Sequence, residues 1–415
     1  MATGSETALK GSITTAASPA SGERRRRSDQ FVIITASSAA LLLAALIGVE
    51  TAPFLVALFG VGLLLGIALY HGAFGFTGGW RSMVSSGRSA GVRAQLALLA
   101  LASTLFIPVL AYAPPDAGLI GALAPVGVSL VVGAFLFGFG MQLGGGCGSG
   151  TLFTVGAGNI RMVLTLVFFI VGSVVGTLHL PWWLDLPGVN PISLIDTLGV
   201  GGALTGQLAA CAGLAWWFAR LERRRHGRVE PAVFAGPRRG MLPSLVQGPW
   251  PLYWAVLVLA LGNLAVLLLS GHPWGITFAF GLWGAKVLQA MGVDMSQHAF
   301  WTWDYPALAL ADSVLVNVTS VTNFGLLLGA MLAAGLAGRF NAASAGRIPP
   351  RSLLAAVLGG LIMGYGARLG FGCNIGALFS GIASASVHGW IWFAAAWAGS
   401  WLGIQARPWF SLSRD

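Results

Sequence analysis

From Leu252 to Ser270 the chain reads LYWAVLVLALGNLAVLLLS, nineteen residues without a charged side chain. A helix of roughly 20 apolar residues is what it takes to cross the hydrocarbon core of a bilayer. Comparable stretches occupy 31–49, 54–70, 94–112, 123–140, 160–180, 198–219, 314–336, 353–370 and 387–405, which makes ten candidate spans. In lipid every backbone polar group must find its partner inside the segment, which leaves only helices or closed barrels. The runs lack the period-2 alternation of barrel strands, so helices are expected. Only 9% of the residues are charged, where a soluble domain carries roughly a quarter. The expected fold class is an all-α polytopic membrane protein.

A formal charge of +10 could suggest a nucleic-acid partner, but its distribution argues against one. Lys10 and Lys286 are the only lysines, and most arginines cluster in loops between apolar runs. That is the positive-inside pattern of a membrane protein, so the bilayer is the expected partner and no nucleic acid is. With the amino terminus inside, the inner loops hold Arg81, Arg88 and Arg93, then Arg161, then the run from Arg220 to Arg239, and later Arg339, Arg347 and Arg351. The outer stretches APPDAG and LPWWLDLPGVNPISLID hold no Lys or Arg. Both termini are therefore predicted to be cytoplasmic. The chain divides into a disordered basic tail (1–30), a first transmembrane half (31–219), an Arg-rich cytoplasmic linker (220–249), a second transmembrane half (250–406) and a short cytoplasmic tail (407–415).

Four apolar, glycine-rich segments do not fit as full spans: 71–80, 144–153, 272–290 and 371–382. Irregular backbone at membrane depth survives only where protein buries it or where it lines a cavity, so these are expected to be re-entrant broken segments. Two of them hold a repeated phrase. GFGMQLGGGCGSGTLF (138–153) and GYGARLGFGCNIGALF (364–379) share nine of sixteen positions, including Cys147 and Cys373. A weaker match sets FGFTGG (74–79) against WGITFA (274–279), aligning Thr77 with Thr277. The offsets are 200 and 226, so the second half carries about 26 extra residues, expected in the loop 292–312. By the loop count the first pair of segments enters from the cytoplasm and the second from outside. That predicts an internal inverted repeat, an architecture whose substrate site lies on broken helices at the repeat interface. Glycines also let helices pack closely, which accounts for Gly138, Gly140, Gly364 and Gly366 but not for four broken segments.

Cys147 and Cys373 each follow a glycine at the mouth of a broken helix, where free backbone N–H groups and the positive dipole end favour an anion. A neutral thiol there is a weak, polarisable donor suited to a soft sulfur-bearing anion, whereas a thiolate would repel it. Three cysteines give no disulfide framework, and Cys211, mid-helix among alanines, reads as a small packing residue. Arg368 lies five residues before Cys373 where its counterpart is neutral Gln142, so Arg368 is a candidate for guiding the anion, with snorkelling to an interface as the alternative. Lys286 carries the same two readings. His71 and His272 have no acidic or cysteine neighbours in the sequence, so no metal site is assigned. No cofactor and no catalytic residue are expected. The candidate path residues are Gly146, Cys147 and Gly148 in one string, Arg368, Gly372, Cys373 and Asn374 in the other, with Thr77 and Thr277. The residues leave open a second reading, a membrane sulfurtransferase or thiol redox protein carrying sulfur covalently on Cys147 or Cys373.

On GGGCGSGTL around Cys147, GFGCNIGALFSG around Cys373, GHPWGIT at 271–277 and VTNFGLLLGAMLAA at 321–334, the chain resembles the YeeE/YedE family of inner-membrane sulfur transport proteins. The resemblance covers about residues 40–405. It implies uptake of thiosulfate, or of a related sulfur or selenium anion, along a path whose cysteines pass it on by hydrogen bonds. It also implies an inverted repeat of spanning and re-entrant helices, and a cytoplasmic acceptor such as a small sulfur-carrier protein of the TusA type. The family commonly has a further cysteine in its first re-entrant motif; here Thr77 stands in that place, still able to donate a hydrogen bond but not redox-active.

Overall fold

The computed structural model describes residues 19–231, 241–340 and 348–414. Residues 1–18 of the expected tail, with Arg238, Arg239 and Arg347 of the basic loops, lie outside the described residues. The first helix runs Pro19–Glu50, so it takes in the Arg24–Arg27 run as well as the first apolar stretch. Nine helices among the described residues are long and apolar enough to cross a membrane, which establishes the all-α polytopic class. The tenth expected span also forms, as the 20-residue helix Val387–Ala406. It falls short in hydropathy because its sequence is loaded with Gly, Ser, Trp and His, whose small or polar groups face protein: His388, Gly389, Gly399 and Ser400 are all buried. Large apolar side chains such as Leu41, Val49, Leu64 and Trp216 stay exposed on the outer faces, as a lipid-facing surface requires. Strand is confined to a two-residue antiparallel pair, Val126–Gly127 with Gly188–Val189.

The helices pack in reciprocal pairs. Val128–Gly144 lies against Pro350–Leu369 and against Val387–Ala406, and Ile160–Leu184 lies against Pro350–Leu369. Exchanging the halves of the chain maps the second of those contacts onto the third. In the same way Pro53–His71 packs on Val318–Leu336 while Leu252–Ser270 packs on Ala90–Tyr112. Leu194–His226, which bends at Gly199, flanks Ala90–Tyr112 as Pro19–Glu50 flanks Val318–Leu336.

Glycine explains how close the central helices come. A Cβ on Gly138 would sit 2.0 Å from the Ala396 carbonyl oxygen, and one on Gly364 would sit 2.2 Å from that of Phe169. These are the first residues of the two repeated strings, and they do the same job in mirrored places. Between helices in lipid, such backbone approach and the dispersion contacts it permits replace the hydrophobic driving force. An aromatic chain fills the core there: Phe137 meets Trp392 at 5.5 Å and Phe169 at 6.2 Å, and Phe169 meets Phe280 at 4.8 Å. Asparagines start two of the long helices, Asn159 accepting from Met162 N at 3.1 Å and Asn317 from Ser320 N at 2.9 Å, each cap worth about 1 kcal/mol.

Each of the four segments expected to break contains a short helix: Phe76–Ser86, Gly148–Gly156, Thr277–Ala290, and Asn374–Phe379 continued by Ser380–Ala383. The first starts five residues later than the expected boundary of 71, because the preceding helix continues to His71. Asn374–Phe379 is a π-helix, a rare geometry frequent at functional sites. The loop 292–312 is not extended chain. It folds into three short helices, Met295–Gln297, Ala299–Thr302 and Asp304–Ala311, pinned where Trp301 Nε1 donates to Thr177 Oγ1 at 3.2 Å and Lys286 Nζ donates to the Leu310 carbonyl at 2.9 Å.

Candidate functional site

The two cysteine loops are built alike. Gly145 takes φ +99°, the chain turns, and Cys147 becomes the N-cap of Gly148–Gly156, its Sγ accepting from Gly150 N at 3.5 Å. Ser149 Oγ lies 3.4 Å from the same sulfur. In the other half Phe371 and Gly372 take positive φ, and Cys373 caps Asn374–Phe379 with its Sγ accepting from Ile375 N at 3.4 Å. Sulfur thus does here what Ser or Asp does at an ordinary helix start. Both thiols are buried, and neither is in a disulfide.

The loops meet. A Cβ added to Gly148 would lie 3.0 Å from Cys373 Sγ and 3.3 Å from Ile276 Cγ2. Three of the four broken segments therefore converge on Gly148, and the residue beside one candidate cysteine touches the other. A Cβ on Gly146 would lie 2.9 Å from the Gly150 carbonyl carbon, and one on Gly372 would lie 2.7 Å from Ala377 N. Those two glycines keep the caps tight. Asn374, fully buried, has neither its amide nitrogen nor its amide oxygen bonded within the protein.

Arg368 and Gln142 hold the two threonine-bearing segments. Arg368 Nη2 donates to the Thr277 carbonyl at 2.9 Å, and Gln142 Nε2 donates to the Thr77 carbonyl at 3.3 Å and to Ser400 Oγ at 2.7 Å. One layer out, Asn323 Nδ2 donates to the Ile276 carbonyl at 3.0 Å and Gln95 Nε2 to the Phe76 carbonyl at 3.4 Å. The weak alignment of Thr77 with Thr277 is thus matched by two pairs of equivalent hydrogen bonds. Thr77 Oγ1 is buried without a partner. It joins the Cys147 loop through Gln142 and does not join the cysteine contact directly.

Behind the Cys373 loop opens a cavity of about 350 Å³, lined by Gly275, Thr277, Phe278, Arg368, Phe371 and Gly376. Its far wall comes from the 292–312 loop through Phe300, Trp303, Tyr305 and Pro306. Those four were missed from sequence. The aromatic phrase FWTWDYP inside the surplus residues was the one signal that could have found them. A second cavity, of about 380 Å³, lies in the first half beside Gly75, Gly78, Gly79 and Gln95, with Arg88 and Glu230 in its wall. Those two side chains form an ion pair.

Other cations are occupied structurally. Arg161 donates to the carbonyls of Leu143, Gly144 and Ser352, and Arg407 to that of Gln142, closing the end of Val128–Gly144. Arg407 lies just past the last helix; burial, and then Arg81 and Arg161 nearby, push its guanidinium down to about 10. Lys286 donates to the 292–312 loop at the Leu310 carbonyl. Cys211 is buried in the hydrophobic core, as its alanine-rich context suggested. Among the described residues no group of three His, Cys, Asp or Glu side chains could hold a metal ion.

The chain is similar to known proteins. The family model described as sulphur transport matches residues 71–402. The thiosulfate transporter TsuA of Escherichia coli K12 is 26% identical over 84% of this chain and 94% of its own length. TsuA of Spirochaeta thermophila is also 26% identical, over 82% of this chain and 97% of its own. The probable transporter YedE of E. coli K12 is 33% identical over 37% of this chain, and the chain spans only 38% of that protein. A match that runs from the first broken segment into the last long helix takes in both cysteine loops and the other two broken segments: the chain belongs to the sulphur transport family.

Proposed function

We propose that the chain is a multi-pass inner-membrane transporter that takes up a small sulfur-bearing anion, thiosulfate first and related sulfur or selenium anions after it. The observation that carries this reading is the contact of Cys373 Sγ with Gly148, next to Cys147. Two thiols at two helix starts, one from each half, stand together where three of the four glycine-broken segments gather. Family membership and the TsuA likeness across most of both chains support the substrate.

The two halves act as an inverted repeat, supported by the reciprocal helix contacts and by the paired hydrogen bonds to Thr77 and Thr277. The short helices are its re-entrant segments. Helix starts present backbone N–H groups to an anion, while the neutral thiols offer donors matched to its soft sulfur. The path runs past Arg368, Thr277, Gly372, Cys373 and Asn374, through the glycine contact at Gly146 and Gly148, and on past Cys147 to Thr77. Both termini face the cytoplasm, where a TusA-like carrier accepts the sulfur. The thiols are hydrogen-bonded to backbone N–H groups and Ser149, with no base beside them among the described residues, so passage without covalent chemistry is favoured over sulfur transfer.

Uptake of labelled thiosulfate into proteoliposomes tests the reading. Cys147→Ala and Cys373→Ala are each expected to lower it strongly. Full uptake by both variants would overturn the path.

A further inference from the structure

Arg368 is a cation with an unusual set of neighbours. Its guanidinium carbon lies 5.3 Å from the ring centre of Phe300 and 5.8 Å from that of Phe278. Nη2 is spent on the Thr277 carbonyl, while Nε is buried with no partner in the protein. Among the described residues no carboxylate lies within ion-pair distance of it. A guanidinium taken out of water without a counter-charge is unfavourable, and ring faces compensate only part of that. The N–H donors of a guanidinium lie in its plane, at its edge. Arg368 lines the 350 Å³ cavity behind the Cys373 loop.

The arrangement belongs to one half only. Phe300 comes from the 292–312 loop, whose counterpart in the first half is the three-residue link from Ser86 to Ala90, and Gln142 occupies the place of Arg368. Phe300 itself is buried and held by its neighbour Trp301, which is anchored to Thr177.

We infer that this cavity is an anion-capture site, in which Arg368 takes the oxygens of a tetrahedral dianion and Phe300 is the positioning residue that fixes the guanidinium edge toward it. The inference rests on the transporter reading and deepens it. Capture occurs at this cavity with a fixed charge, and the other half carries no such charge at the equivalent register, where Gln142 is buried. The substrate class is a small oxyanion of charge −2, in preference to neutral sulfur compounds. By lowering the local dielectric the aromatic wall strengthens the charge-assisted bonds.

The test uses the purified full chain, with equilibrium binding of labelled thiosulfate competed by sulfate and selenate, and uptake kinetics in proteoliposomes. Arg368→Gln, which installs the residue of the other half, is expected to weaken binding by at least about tenfold, and Arg368→Lys by less. Phe300→Leu is expected to raise the KM of uptake by about two- to tenfold with the maximal rate little changed, and Phe300→Tyr to restore it. Unchanged affinity in both Arg368→Gln and Phe300→Leu overturns the proposal, as does failure of Phe300→Tyr to restore a KM lost in Phe300→Leu. So does wild-type protein that binds none of the three oxyanions. Arg368-dependent oxyanion binding in a protein that does not transport thiosulfate would support the capture site while refuting the thiosulfate reading. Gel filtration screens each variant for folding, and the Phe300 pair decides the question if Arg368→Gln does not fold.

Discussion

Gln142 donates its side-chain amide to the carbonyl of Thr77, and Arg368 donates its guanidinium to the carbonyl of Thr277. The two bonds stand at the same register of the two halves, one from a neutral amide and one from a cation. Each ties the end of a long helix to the start of a short one, so the cysteine-bearing loop and the threonine-bearing loop of each half are held together. What stands at this register therefore sets both the geometry and the electrostatics of its half.

Gly148→Ala is expected to abolish most uptake. Its methyl group would lie 3.0 Å from Cys373 Sγ and 3.3 Å from Ile276 Cγ2, and such overpacking costs about 1–3 kcal/mol. Labelled-thiosulfate uptake beside a melting curve separates the two effects. Unimpaired uptake would mean that this contact lies off the path.

Gly138→Ala and Gly364→Ala are each expected to destabilise the protein by about 3 kcal/mol or more, since a Cβ there collides with backbone that cannot rotate away. Gly60→Ala is the control: it sits within a helix and its Cβ would meet nothing within 4 Å, so it should be neutral or stabilise by up to about 1 kcal/mol. Melting temperatures in one detergent check the contrast. Equal behaviour of all three variants would refute the packing account.

Cys211→Ala should leave thiosulfate uptake near wild type and lower stability by only about 1 kcal/mol, because it removes a small side chain from the hydrophobic core. An uptake loss as large as that of Cys147→Ala would bring Cys211 into the path.

Glu222→Ala is expected to loosen the extension of Leu194–His226. The Glu222 carboxylate is buried, accepts from Ser89 N and Oγ, and lies 3.5 Å from Arg93. Removing one partner of a buried pair costs about 3–5 kcal/mol when both are fully enclosed; with Arg93 partly exposed, about 2 kcal/mol is expected. Faster proteolysis after the helix end, at residues 227–231, would register it. Unchanged cleavage and melting would show that the pair contributes nothing.

Much of the architecture was legible because membrane folding is local in its demands. Leu252–Ser270 had to be a helix, since its backbone groups have no other partners in lipid. The Cys147 and Cys373 strings could be matched to each other because glycine and cysteine were repeated at the same spacing. The start of the first short helix was less legible. Nothing between His71 and Phe76 marks the break except glycines, which permit a turn without locating it.

Sequence by itself determined the all-helical membrane class, the long helices, the four broken segments and the residues worth watching in them. Only the tertiary structure decided that Cys373 lies against Gly148, 225 positions away, and that Phe300 stacks on Arg368. The physical reason lies in the range of the forces. Backbone hydrogen bonding and hydropathy act within one segment and are written in consecutive residues. Close packing of two backbones and the stacking of a ring on a cation depend on which surfaces face each other once every helix is in place, and no stretch of sequence carries that by itself.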